Sequence, residues 1–118
     1  MELKNMKKFD HLDVKAQKVE MEGAKDVTVR WLITKETGAE NFAMRLFEMN
    51  AGGCTPLHTH DWEHEIYVLD GEGIVRGGEA EEEFKKGDVI FIPPNEIHQL
   101  RNTGEEKVRF LCLIPYKD

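Results

Sequence analysis

The stretch Gly52-Gly53-Cys54-Thr55-Pro56-Leu57-His58-Thr59-His60-Asp61-Trp62-Glu63-His64-Glu65-Ile66-Tyr67-Val68-Leu69-Asp70-Gly71 decides how the rest of the chain reads. It holds His58, His60 and His64, out of five histidines in the whole chain. On a strand, residues two apart share a face, so His58 and His60 project the same way, about 7 Å apart along the backbone. Two imidazoles on one face can chelate one ion. The bend Asp61-Trp62-Glu63 then turns the chain, and His64 opens a new strand that a hairpin sets beside the pair. An HxH pair alone is common, and a lone histidine is more often a satisfied polar residue than a ligand. The weight therefore rests on the combination.

A second stretch completes it: Gly87-Asp88-Val89-Ile90-Phe91-Ile92-Pro93-Pro94-Asn95-Glu96-Ile97-His98-Gln99-Leu100-Arg101-Asn102. A short apolar strand runs into a proline turn, which delivers His98 from across a barrel. His11, flanked by Asp10, Leu12 and Asp13, has no such setting and reads as a surface residue.

Working outward, glycines punctuate the chain and most gaps between them carry β-branched or aromatic runs, the mark of many short strands. Strands are expected at 27–34, 42–49, 64–69, 73–76, 82–84, 89–92, 98–101 and 107–114. Without long amphipathic helices, that series predicts an all-β sandwich or barrel. Residues 1–26 carry the weakest pattern and read as an irregular or edge-strand segment ahead of a barrel domain at 27–118. Two runs, Val89–Ile92 and Phe110–Ile114, are apolar on successive residues, so both faces of those strands call for cover. A small barrel has one inside; the outer face needs a second sheet, the N-terminal segment or a partner subunit. A twofold homodimer is the expectation, since that is the commonest oligomer.

At 118 residues the chain fits one domain with no linker. Its 40% hydrophobic and 33% charged residues suit a folded soluble protein. The formal net charge of −7 gives no positive field for phosphate backbones or anionic lipid, so nucleic acid is not expected as a partner. No apolar run is long enough to span a bilayer and the first residues hold no apolar signal core, so a cytoplasmic location and no membrane partner are expected. Two cysteines, Cys54 and Cys112, are too few for a disulfide framework and are expected reduced.

The two histidine stretches resemble the paired motifs of the cupin superfamily. The first motif is a glycine, five residues, HxH, three or four residues, a glutamate, six residues and a glycine. Here it reads Gly52, five residues, His58-Thr59-His60, three residues, His64, six residues, Gly71. The second is a glycine, five residues, PxG, two residues, a histidine, three residues and an asparagine. Here it reads Gly87, five residues, Pro93-Pro94-Asn95, two residues, His98, three residues, Asn102. Asn95 stands where the family has glycine, which asparagine's tolerance of left-handed geometry accommodates. His64 stands where the family usually has its glutamate ligand.

The chain is most similar to small single-domain four-histidine cupins, including its Asn41–Phe47 and Phe110–Pro115 segments. That resemblance implies a double-stranded β-helix (jelly-roll) barrel holding one divalent metal through His58, His60, His64 and His98. Glu63 and Glu65 are the competing ligands. If His64 faces inward both point away, whereas a slip of one residue puts Glu65 inward. The motif interval to Gly71 favours His64.

Four neutral imidazoles leave the charge of a divalent ion uncompensated and make it a strong Lewis acid. In an octahedral ion they leave two positions for water, dioxygen or a chelating small molecule. The family resemblance tilts the metal toward Mn or Fe, while the imidazole ligands suit Zn, Ni, Co and Cu as well. Four histidines also close a tetrahedral zinc site, which is the purely structural alternative. Cys112 is either a thiol near the metal or a small core hydrophobe. Trp62 either walls a pocket or caps the hairpin. Arg45, Phe42, Phe91 and Phe110 are pocket or core candidates. The expected function is a small metal-dependent, dioxygenase-like oxidoreductase acting on a small organic substrate. Alternatives are a sugar or keto-acid isomerase or epimerase, weakened by the lack of an evident base, and a non-enzymatic small-molecule or metal-binding module.

Overall fold

The computed structural model describes residues 3–116, leaving Met1, Glu2, Lys117 and Asp118 of the expected N-terminal and barrel segments outside the described residues. Within them lie one 3-10 turn at His11–Asp13 and nine strands. These are β1 (Gln17–Lys18), β2 (Lys25–Ile33), β3 (Phe42–Cys54), β4 (His64–Asp70), β5 (Glu72–Gly77), β6 (Ala80–Lys85), β7 (Val89–Ile92), β8 (His98–Asn102) and β9 (Val108–Pro115). No described helix is long and apolar enough to cross a membrane. The fold is all-β, as the strand series predicts.

All pairings are antiparallel and form one sheet in the order β6-β5-β8-β3-β9-β4-β7, with β2 on the other edge of β3 and β1 on β2. The long strand β3 curls this sheet into a jelly-roll barrel. Its first part, Phe42 to Met49, pairs with β9, while its last residue, Cys54, pairs with Arg101 of β8. Between them the chain bends through Gly52 (φ 80°) and Gly53. A Cβ on Gly53 would lie 2.8–2.9 Å from the carbonyl oxygens of Lys25, Asn50 and Asp26, so only glycine fits this bend.

Alternation then sets what faces inward. On β4 the buried residues are His64, Ile66 and Val68, and on β9 they are Val108, Phe110 and Cys112. Register links these into rows: Trp31 of β2 opposes Arg45 of β3, Arg45 opposes Cys112, and Cys112 opposes Ile66. One row deeper, Val29 opposes Phe47, Phe47 opposes Phe110, and Phe110 opposes Val68. The Phe47 and Phe110 rings stack at 5.1 Å and 12°, and each large buried side chain contributes roughly 1.5–3 kcal/mol. The floor of the barrel is therefore aliphatic and aromatic, and polarity increases toward one open end.

The twice-apolar runs divide differently from expectation. In β9, Phe110 and Cys112 are buried and Leu111 and Leu113 half-buried. In β7, by contrast, Val89 is 76% and Phe91 60% exposed. Phe42 is also exposed, so neither it nor Phe91 belongs to the pocket or the core. Within the N-terminal segment, strand β1 pairs with β2. His11 is half-buried rather than free on the surface, its Nε2 lying 3.4 Å from an Arg109 nitrogen.

Candidate metal centre

Three backbone routes carry histidines to the open end of the barrel. β3 ends at Cys54, Thr55 still donates its N–H to Leu100 O at 2.9 Å, and Pro56, which has no N–H to offer a ladder, comes next. The HxH pair therefore lies on extended chain rather than on a regular strand, fixed by an isolated bridge from His58 to His98. That bridge uses both backbone bonds, His58 N–H to His98 O (3.2 Å) and His98 N–H to His58 O (3.0 Å). Pro93-Pro94-Asn95 makes the second route. Asn95 sits at φ 68° and donates its N–H to His60 O at 2.7 Å, so the turn that precedes His98 is tied to the first histidine segment. The third route is β4, whose first residue, His64, is buried while its neighbours Glu63 and Glu65 are exposed.

The four rings meet. Centroids are 4.7 Å apart for His58 and His98, 5.1 Å for His58 and His60, 4.5 Å for His60 and His64, and 5.1 Å for His64 and His98. Candidate ligand nitrogens of His58, His60 and His98 lie within 4.8 Å of one another. His64 joins through its Nε2, 2.6 Å from Nε2 of His60.

Three rings are oriented alike. Nδ1 lies 2.8 Å from Pro56 O in His58, 3.1 Å from Trp62 O in His60 and 2.9 Å from Glu96 O in His98. A carbonyl oxygen only accepts, so each Nδ1 carries the proton and each Nε2 keeps its lone pair for the centre. This is the usual outer support of a metal-binding histidine. His64 differs: its Nδ1 lies 2.9 Å from Cys112 Sγ and 3.3 Å from an Arg45 guanidinium nitrogen.

Burial shapes the electrostatics. The His64 pKa is pushed down to about 3, first by burial and then by the Arg45 charge and the neighbouring imidazoles. Burial also lowers His60 and His98, against the opposing pull of the Trp62 and Glu96 carbonyls. These rings are held neutral, the form that ligates. The Nε2 of His98 is buried and has no hydrogen-bond partner, an orphan that a metal ion would satisfy. On that atom, and on the convergence of the other ring nitrogens, the residues present fit a transition metal.

The weaker candidates find definite places. Trp62 stacks on His60 at 4.1 Å and 2°, and so braces a ring of the centre. Cys112 is buried in the core, with its Sγ 2.9 Å from His64 Nδ1; burial raises its pKa while Arg45 opposes that rise. Arg45 and Phe110 line a cavity of ≈ 260 Å³ that runs from the histidines into the barrel. Trp31, Phe47 and the N-terminal residues Val19 and Met21 also line it. Sequence reasoning missed these four. Trp31 and Phe47 share the inward parity of β2 and β3, a signal that was present, whereas Val19 and Met21 sit in a stretch with no periodicity.

Residues 45–114 match the family model described as a cupin domain. The chain belongs to the cupin family. This cupin is 36% identical over 99 residues to an oxalate-binding protein of Thermotoga maritima, a match covering 80% of each chain. Its structure is similar to that of the polyketide cyclase RemF from Streptomyces resistomycificus, with a TM-score of 0.89 and 40% identity, covering 95% of this chain and 80% of that one. It is also similar to a predicted oxalate decarboxylase of Thermotoga maritima, with a TM-score of 0.80 and 28% identity, covering 92% of this chain and 97% of the other.

Proposed function

We propose that this cupin holds one divalent transition metal through His58, His60, His64 and His98 and acts on a small organic substrate bound in the adjoining cavity. The observation that carries the reading is the buried, unpartnered Nε2 of His98, set among three other imidazoles at the wall of a largely apolar chamber. An ion held there supplies Lewis acidity, polarising a carbonyl or enol oxygen of the substrate. The chain's own residues do the rest. The carbonyls of Pro56, Trp62 and Glu96 fix three ring tautomers, and Trp62 holds the plane of His60. The apolar walls exclude water, which strengthens every electrostatic contact inside. Mn and Fe are the favoured metals.

Two reaction types use such a site. Similarity to a polyketide cyclase over 95% of this chain favours carbon–carbon ring closure through an enolised carbonyl compound, with no net oxidation. The dioxygenase-like oxidation expected from two open metal positions is the second reading. Isomerisation of a sugar or keto acid is less favoured, because Glu63 and Glu65 are exposed and Glu20, the one carboxylate among the described residues lining the cavity, is exposed as well. Elemental analysis of the purified protein, followed by oxygen-electrode measurements with β-polyketone substrates, tests the proposal. Stoichiometric metal and cyclised product without oxygen uptake is the expected result. Substrate-dependent oxygen uptake would select oxidation, and a protein that takes up no divalent metal would overturn both. We further infer that the exposed face of β7 and β4 joins two copies as a homodimer.

A further inference from the structure

Arg45 differs from Arg30, Arg101 and Arg109, which pair with carboxylates on the outside of the barrel. Arg30 pairs with Glu48 at 3.7 Å, Arg101 with Glu81 at 2.8 Å, and Arg109 with both Glu48 and Asp70 at 3.1 and 3.0 Å. Arg45 faces inward, because its register places it between Trp31 and Cys112 in the row that lines the cavity. Its hydrogen-bond partners are neutral: Cys112 Sγ at 3.1 Å and His64 Nδ1 at 3.3 Å. Its Nε is buried without a partner. The guanidinium carbon lies 4.8 Å from the Phe47 ring centroid and 5.2 Å from that of Trp31, so two aromatic faces hold the fork in place.

A guanidinium is permanently charged, and a charge in a low-dielectric wall is stabilised by an anion opposite it. Among the described residues lining the cavity the one carboxylate is Glu20, which is exposed on the N-terminal segment. The missing counter-charge therefore falls to the ligand. From this we infer that Arg45 is the anion anchor of the cavity. The ligand it selects has an apolar body and a planar oxyanion, a carboxylate or an enolate, which docks on the guanidinium fork. A cavity of roughly 150 Å³ accommodates benzene, so ≈ 260 Å³ suits a substituted single ring or a compact bicycle. The inference rests on the proposed metal centre only for where the ligand's other end lies; the contact with Arg45 does not depend on it.

The test compares cinnamate with its neutral analogue cinnamamide. Isothermal titration of the metal-loaded protein should give about 10- to 100-fold tighter binding of cinnamate, the worth of a charge-assisted hydrogen bond. Arg45→Met should remove that preference, and Arg45→Lys should restore part of it. Cinnamate preference surviving in Arg45→Met would place the anion elsewhere and overturn the inference, as would equal binding of both compounds by the unaltered protein. Because Arg45 touches His64, the unaltered protein is also followed by NMR at the Arg45 Nε–H resonance, with and without EDTA. A shift on adding cinnamate but not cinnamamide supports the anchor; a resonance that moves with neither overturns it. Failure of the metal reading shows separately, as absent metal by elemental analysis, and leaves the EDTA-treated arm decisive for Arg45.

Discussion

The division of labour among four histidines turns on what stands behind each ring. His58, His60 and His98 lean on carbonyls two residues away in sequence, so their orientation is built locally. His64 leans on Arg45 and Cys112, which arrive from other strands. Replacing any of the four with alanine should lower metal content at least tenfold at limiting metal, whereas His11→Ala should leave it unchanged; mass-spectrometric metal analysis of the five variants decides. The depressed pKa values also make a prediction for the metal-free protein. Below about pH 6.5 the unfolded chain binds protons on these imidazoles, while the folded chain resists until His64 titrates near 3. The unfolded state therefore binds more protons across that window, and stability should fall as pH drops from about 6.5 toward 3. Calorimetric melting of EDTA-treated protein checks this, and a flat melting temperature over that range would contradict the burial of the rings.

Two elements show how tightly the scaffold of the centre is specified. Gly73 lies on β5 between β6 and β8, opposite Phe84 and Asn102. A Cβ there would sit 2.0 Å from Arg101 O and 2.8 Å from the Phe84 ring, and backbone gives way less readily than a side chain. Gly73→Ala should cost at least about 2 kcal/mol, read as a lowered urea midpoint. The turn before β8 has a different demand, since Asn95 occupies left-handed geometry at φ 68°. Asn95→Ala should cost about 1 kcal/mol and Asn95→Gly close to nothing, measured by the same unfolding curve. Asn102 at the other end of β8 closes the following turn, donating from Nδ2 to Met49 O and Glu106 O and accepting Gly104 N–H at Oδ1. The last residue of the second motif thus supports the strand that carries His98.

At the scale of the whole molecule the outer face remains to be accounted for. Val89 and Phe91 of β7 stand in the open beside Tyr67 of β4. Leaving such side chains in water forgoes roughly 1.5–3 kcal/mol apiece, and contiguous exposed apolar patches usually mark an interface. Burying that face against a twofold-related copy would remove it from solvent. Light scattering at micromolar concentration should give twice the 13.6 kDa of one chain, and Phe91→Asp should shift it toward a single chain. A monomeric mass for the unaltered protein would reject the dimer.

The strand series, the inward alternation of β4 and the two histidine stretches were legible in the sequence because strand periodicity is local. His64 inward and Glu65 outward follow from a parity of two once the strand's start is known. Asn95 could be read the same way, since left-handed backbone restricts residue type. Other features were decided only by tertiary structure. β3 ran on to Cys54, past the expected end at Met49, and the HxH pair after Pro56 fell on a bridged, irregular segment. Arg45 and Cys112, 19 and 48 residues from His64 in sequence, became its neighbours through the register of separate strands. Long-range register depends on how the whole sheet curls, not on any one strand's pattern. Val19 and Met21 reached the cavity mouth because β1 pairs with β2, a contact of two residues with no periodic signal. The chain's own sequence thus determined which residues could bind, and the curling of β3 decided which of them meet.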